Sequence, residues 1–156
     1  MTIRLAGPED FEAMARLNAQ VQGLHAAGAP DQFKPPSDET FSRAVYDAML
    51  AQPQTFLYLA EAAGQPVGYI YAALLDRPTS PFRLATQVVY VHQLSVDSAH
   101  RRHGYGEQLM QQVVDLAQAH GIRRIELDTW AFNTAARAFF ARLGFTEFNV
   151  RLARLL

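Results

Sequence analysis

The sequence predicts one domain of mixed α/β (α+β) type, with a central, mostly antiparallel sheet and four helices against it. Three observations carry this expectation. The chain has 156 residues, the size of a single domain over 1–156 with one sizeable core. Hydrophobic residues make up 49% and charged residues 19%, a mixture too apolar for a disordered chain. Segments with apolar residues at helical spacing alternate with short β-rich segments bounded by glycine and proline. No internal repeat, low-complexity stretch or interdomain linker interrupts them.

Residues 2–5 (TIRL) read as a first strand. Gly7-Pro8 opens a helix with Glu9 and Asp10 in its first turn, where negative charge suits the helix dipole. Phe11, Met14, Leu17, Val21 and Leu24 carry its apolar face to about His25. Residues 25–36 (HAAGAPDQFKPP) form a loop. Ser37 is the expected cap of a second helix, with Asp38 and Glu39 in its first turn and Phe41, Val45 and Met49 on one face, ending at Gln52-Pro53. Residues 56–75 are two strands joined near Gly64-Gln65, and 76–82 are a loop. Residues 86–96 (TQVVYVHQLSV) are a long strand. Leu109, Met110, Val113, Val114 and Ala117 line one face of a third helix, which Gly121 ends. Residues 123–130 are a strand, Asn133 caps a fourth helix bearing Ala136, Phe139 and Leu143, Gly144 ends it, and 145–156 close as a strand.

Strand 86–96 breaks the simple period of two. Val89 and Val91 share one face, whereas Leu94 and Val96 share the other. The apolar phase changes at His92-Gln93. A β-bulge there accounts for it, and so do two buried faces, as Val88 and Tyr90 suggest.

Composition narrows the function classes. The formal net charge is -1, which offers no global attraction for nucleic acid or anionic membrane. There is no cysteine, so disulfides, thiolate-held metals and a cysteine nucleophile are excluded. Lys34 is the sole lysine, and arginine supplies the remaining positive charge. His100 and His103 lack a third ligand nearby and His120 reads as a helix C-terminal residue, so no metal is expected. The first residues, MTIRLAGPEDF, lack an apolar signal core and no apolar run approaches membrane-spanning length. The expectation is a soluble cytoplasmic protein without nucleic-acid or membrane partners.

The most informative stretch is HRRHGYGEQL, residues 100–109, between a strand and a helix. A glycine-rich turn there aims successive amide N–H groups at an anion, helped by the positive helix end. Gly104 and Gly106 allow close approach of the backbone. A dinucleotide fingerprint requires another glycine where Leu109 stands, and a Walker A loop requires Gly-Lys-Ser/Thr, so neither motif is present. On spacing alone, a turn with a solvated basic flank is the leading reading.

RRHGYG resembles the Arg/Gln-x-x-Gly-x-Gly/Ala pyrophosphate loop of the GNAT superfamily of acetyl-CoA-dependent N-acetyltransferases. LSVDSAHRRHGYGEQLM is similar to the strand–loop–helix unit of that family, and NTAARAFFARLGF to its Asn-x-x-Ala-x-x-Phe-Tyr-x-x-x-Gly-Phe segment. The best-matched stretch runs from about residue 86 to 146. The resemblance implies a sheet of six to seven strands, splayed between strands 86–96 and 123–130 to admit acetyl-CoA as co-substrate. It implies that Arg101, Arg102, His103, Gly104, Tyr105 and Gly106 hold the pyrophosphate, and that Leu94 and Val96 pair through their backbones with the pantetheine arm. Asn133 and Phe140 would face the cofactor from the fourth helix.

The resemblance also implies transfer of an acetyl group to a primary amine of a small molecule or peptide by direct attack. The backbone N–H near Leu94 is its candidate stabiliser of the carbonyl oxygen. Many relatives place a proton-donating tyrosine where this chain has Phe140, so Tyr105, Tyr90 or water would substitute, or the chain is an acyl-CoA-binding module without transfer activity. Asp128 and His92 are the candidate bases. Asp128 also fits a solvated strand carboxylate, His92 a satisfied, partly buried histidine, and Glu126 reads as surface. His25, Phe33, Lys34, Phe82, Trp130 and Phe132 are candidates to line the acceptor site. Homodimers are common in the family, which makes a homodimer an expectation by analogy.

Overall fold

The computed structural model describes residues 1–156. In chain order the elements are β1 (Thr2–Leu5), α1 (Phe11–Gly28), α2 (Arg43–Ala51), β2 (Thr55–Ala62), β3 (Gln65–Arg77), β4 (Thr86–Val96), α3 (Tyr105–Ala119), β5 (Ile125–Leu127) and α4 (Thr134–Arg142). One sheet runs in the order β1-β2-β3-β4-β5. Its first three pairings are antiparallel and β4–β5 is parallel. The sheet therefore has five strands, not six or seven. The missing strand is 145–156, which has the right alternation but no ladder partner; a strand exists only where a neighbour takes its backbone hydrogen bonds. The strand expected over 123–130 shrinks to three residues for the same reason, because the chain leaves β4 after Leu127.

Each face of the sheet carries its own core. Ala60, Ile70, Ala72, Val89 and Val91 pack beneath Leu109, Met110, Val113, Leu116 and Ala117 of α3. Leu57, Leu59 and Tyr69 pack on the other face with Met14 and Leu17 of α1, Phe41, and Tyr46 of α2. Adjacent residues such as Leu59 and Ala60, or Tyr69 and Ile70, thus serve opposite faces, as strand periodicity requires. On α3, Leu116 rather than Val114 completes the buried stripe.

The second helix starts later than the sequence pattern implies. Ser42, not Ser37, is its cap, accepting from the Val45 N–H at 3.3 Å. Ser37 closes a separate turn, where its N–H donates to Thr40 Oγ1 at 2.8 Å. The shift turns Tyr46 into the core and leaves Val45 exposed; the Tyr46 hydroxyl donates to the Gly7 carbonyl at 2.7 Å. The β2–β3 hairpin turns at Ala63-Gly64, one residue early, with both residues at positive φ as a two-residue primed turn demands.

The phase change in β4 is a bulge. Gln93 pairs with Tyr71 and Val91 with Ala72, so His92 has no partner on β3. The extra residue brings Leu94 and Val96 back onto the face of Val89 and Val91, and all four join the α3-side core. Both faces of β4 are buried at Val88 and Val89 as well, so the two explanations hold together.

Asp10 ties β1 to α1. It accepts both terminal nitrogens of Arg4 at 2.7 Å, and its Oδ2 also accepts the Gly7 N–H at 2.8 Å. Hydrogen bonding to Arg4 holds the Asp10 carboxyl below its ordinary value, against the opposing effect of burial. A depressed folded pKa gives stability that is present above the ordinary carboxyl range and is lost as pH falls through the folded value. Thermal melts across an acid series should therefore show the melting temperature falling most steeply below the ordinary carboxyl value. Asp10→Asn should be less stable at neutral pH and show a shallower acid slope.

Candidate active site

The strand–loop–helix junction β4–α3 carries an unusual run of donors. None of the backbone N–H groups from Arg101 through Glu107 donates to a protein acceptor. Two left-handed residues shape the run, Arg102 at φ 63° and Gly104 at φ 83°. Alternating hand in successive residues turns consecutive amides toward one side, and α3 adds its positive end there. A Cβ built on Gly104 meets nothing within 4 Å, so the space beside it is open. Gly106 differs: its Cβ would stand 3.1 Å from the Phe139 ring, so its role is close packing of α3 on α4. The side chains around this loop are partly committed. Arg101 Nε donates to the Val96 carbonyl at 3.1 Å, His103 Nδ1 lies 2.8 Å from the Arg101 carbonyl, and Tyr105 packs against the α3-side core. Arg102 is exposed.

The edge of β4 beside this loop is open. Asp97 donates its N–H to the Val67 carbonyl at 2.8 Å, so by the alternation of an antiparallel ladder Gln93 and Ser95 also face β3. Leu94 and Val96 turn their N–H and C=O the other way. Val89 donates to the Arg124 carbonyl at 2.9 Å, and β4–β5 pairing ends at Val91 with Leu127. No backbone bond joins residues 128 onward to β4. The two strands part at the bulge, and the polar edge of Leu94 and Val96 faces the gap. Asn133 caps α4 below it, its Oδ1 accepting from the Ala136 N–H at 3.1 Å. Phe140 lies among Phe139 and Phe145, with ring centroids 5.2 and 5.7 Å away, in the α3-side core.

On the opposite face the two candidate bases come together through a residue pair that the linear pattern does not expose. The Tyr90 hydroxyl donates to Asp128 Oδ2 at 2.5 Å. The His92 ring lies 4.9 Å from Tyr90 and stacks on Tyr71 at 5.0 Å. Burial raises the Tyr90 hydroxyl to about 12, with the Asp128 hydrogen bond adding to the effect, so Tyr90 stays a donor at neutral pH. Desolvation by the flanking rings lowers the His92 imidazole below its ordinary value, which keeps it neutral and able to accept a proton. Glu126, expected at the surface, is buried: Arg77 and Arg124 donate to its two oxygens at 2.7 and 2.6 Å. It is a structural ion pair rather than a base.

Four of the six acceptor-site candidates form one aromatic cluster. His25 lies 4.9 Å from Phe33, Phe33 5.1 Å from Trp130, and Trp130 5.8 Å from Phe132. Phe132 lies on the end of α1, where a Cβ on Gly28 would fall 2.2 Å from its ring. Phe82 stands apart on the β3–β4 loop, almost fully exposed, and Lys34 belongs to an open groove between Gln22 and the 32–40 segment.

The acetyltransferase (GNAT) family model matches residues 21–145. The chain belongs to this family. Among curated GNAT relatives, mouse N-acetyltransferase family 8 member 3 is 31% identical over 110 residues, covering 68% of this chain and 47% of that protein. The L-2,4-diaminobutyric acid acetyltransferase of Nocardia farcinica is 34% identical over 83 residues, covering 53% of this chain and 39% of that protein. The chain thus spans about half or less of the length of these curated relatives. A mutant of the BH1408 protein from Bacillus halodurans superposes with a TM-score of 0.95 at 27% identity, over 100% of this chain, C-terminal residues included, and 99% of the other. No helix of the GNAT chain is long and apolar enough to cross a membrane.

The enclosure of His92 is directly measurable. Its imidazole titration, followed by NMR, should have a midpoint below about 6.5, the ordinary histidine value. Tyr71→Ala admits water to one face of the ring and should raise that midpoint.

Proposed function

We propose that the chain is an acetyl-CoA-dependent N-acetyltransferase that acts on a primary amine of a small molecule or peptide by direct attack. One observation carries the reading: seven successive unpartnered amides, Arg101 to Glu107, stand at the end of a strand whose own edge is open at Leu94 and Val96. A pyrophosphate fits the amides, which supply donors and a positive helix end without needing net positive charge. An extended, amide-bearing arm fits the β4 edge, because it can take the N–H and C=O groups that β5 leaves unpaired. Arg101 already occupies the Val96 carbonyl, so Leu94 offers the freer pair.

When bound, acetyl-CoA supplies an acetyl thioester that an amine can attack. The protein's part is to deprotonate the amine, hold it and stabilise the oxygen that gains charge. The Leu94 N–H, just past the bulge, supports the last role. Asp128 keeps Oδ1 free of protein partners while Tyr90 holds Oδ2, and neutral His92 lies beside them; these are the proton acceptors on that face. The aromatic cluster of His25, Phe33, Trp130 and Phe132 supports an acceptor that carries an apolar body next to its amine. No side-chain acid stands at Phe140, so Tyr105, Tyr90 or water would protonate the leaving sulfur, whose thiol pKa of about 8.5 makes it a tolerable leaving group.

Two experiments test the reading. Gly104→Val puts a β-branched side chain at left-handed φ in the open space beside the amides. In a folded variant, calorimetry should show at least about a tenfold loss of CoA affinity, equivalent to about 1.4 kcal/mol. Unchanged affinity would remove the loop from the site.

The apolar environment of Phe140 favours a second reading, binding without transfer. A screen of amines that follows free-thiol release separates the two, since both predict CoA binding. Phe140→Tyr restores the hydroxyl that relatives carry. General acid catalysis is worth about 10²–10⁴-fold when fully expressed, so turnover should rise most well below the thiol pKa, with CoA affinity unchanged. A large fall in turnover with intact CoA binding would show that the apolar ring itself is required.

A further inference from the structure

Beyond Val91 the strand β4 has β3 on one side and no strand on the other. The helix α1 steadies it there instead. Gln93, Ser95 and Asp97 stand at strand spacing, and each is held by α1. Asn18 Nδ2 donates to Gln93 Oε1 at 3.3 Å, Ser95 Oγ donates to the Leu17 carbonyl at 3.3 Å, and Arg16 donates to Asp97 at 2.7 Å. Leu94, whose N–H faces the gap, lies between the first two of these ties.

The tie at Gln93 is a closed network of three side chains. The Tyr69 hydroxyl donates to Gln93 Oε1 at 2.8 Å and accepts from Asn18 Nδ2 at 3.2 Å. Tyr69 is fully buried and Asn18 nearly so. Burial pushes the Tyr69 hydroxyl well above its ordinary value, so it stays a donor. Tyr69 shares its core with Met14, Leu17 and Leu59. Apolar side chains at positions 18 and 69 would fill that space without needing partners, whereas buried polar groups are tolerated only when hydrogen-bonded. What the polar version adds is direction. Two donors converge on one oxygen and hold the Gln93 side chain in a single orientation.

We propose that Asn18 and Tyr69 are positioning residues: acting through the Gln93 side chain, they fix the peptide unit that carries the Leu94 N–H and so aim that donor at the thioester oxygen. This rests on the acetyl-transfer reading and on the role it gives the Leu94 N–H. The Gln93 carbonyl and the Leu94 N–H belong to one planar peptide, with the carbonyl on the β3 side and the N–H on the gap side. Rocking of that plane swings the N–H. A pairing strand would stop the rocking, and here the side chain of Gln93 does so from the α1 face. A donor stabilises a developing oxyanion well only when it is aimed in advance.

The free protein gives the first readout. Nitrogen relaxation should show the Leu94 N–H as rigid as the paired part of β4 on the picosecond-to-nanosecond timescale, and looser in Tyr69→Phe, which removes only the hydroxyl. Gln93→Met, of similar length but without the accepting oxygen, should loosen it at least as much. Adding Tyr69→Phe to Gln93→Met should change nothing further, because both act through one oxygen. Leu59→Val, which loosens the same core and breaks no side-chain hydrogen bond, should lower the melting temperature and leave Leu94 rigid. The second readout is the infrared carbonyl stretch of bound acetyl-CoA, isotope-labelled at the acetyl carbonyl. It should lie below its value in buffer, move back toward that value in Tyr69→Phe and in Gln93→Met, and stay in place in Leu59→Val, with CoA affinity by calorimetry unchanged in all three. A Leu94 N–H that stays rigid in both polar variants, a bound carbonyl band that neither variant moves, or equal effects from Leu59→Val would overturn the proposal. Failure of the wild-type protein to bind CoA would instead remove the acetyl-transfer reading on which it rests.

Discussion

The backbone of β4 is the constraint around which the molecule is arranged. A strand must place each N–H and C=O, and β4 has partners on both sides only from Val89 to Val91. Beyond that point one side is served by β3 and the other faces a gap. The unpaired His92 moves the outward-facing positions from Val89 and Val91 to Leu94 and Val96. Without it, the same residues would present Gln93 and Ser95 to the gap and turn Leu94 and Val96 away from the α3-side core. The packing of β4 and the direction of its open edge thus depend on one register shift.

Charge is organised locally rather than globally. The chain carries a formal net charge of -1, and several arginines are spent on structure. Arg4 serves Asp10 and Glu61, Arg77 and Arg124 serve Glu126, and Arg16 serves Asp97. In the proposed site an anion would meet the backbone amides of residues 101–107, whose direction is set by Arg102 and Gly104. Fixed backbone donors need no side-chain ordering when a ligand arrives, unlike flexible surface cations. They also act at short range, where salt screens little.

Most of the architecture was legible in the sequence because it follows from local periodicity. The bounds of β1 and β4, the stripe on α3 and the Asn133 cap all rest on spacings within one segment. The glycine-rich junction was legible for the same reason. The errors have a shared cause in non-local partners. Ser37 and Ser42 are equally good caps in sequence, and only the burial of Tyr46 against α1 and β2 selects Ser42. Residues 145–156 have strand alternation but no neighbour. Glu126 reads as solvated until two arginines from separate elements converge on it. Asp128 and His92 were visible as candidates, yet Tyr90, which joins their neighbourhoods, depends on β4–β5 register, and Tyr71 meets His92 only because of the bulge.

The contact between Gly28 and Phe132 has a consequence for how such a chain can diverge. The two positions lie on segments far apart in sequence, one ending α1 and the other following β5, yet no side chain at 28 can coexist with the ring where it stands. In evolutionary terms they form a single heritable character. A lineage that acquires a larger residue at 28 must surrender or reorient the ring at 132, and with it the stacking partner of Trp130. Diversification of the aromatic wall is therefore expected in coordinated steps, with the helix terminus and the distant loop changing as a pair.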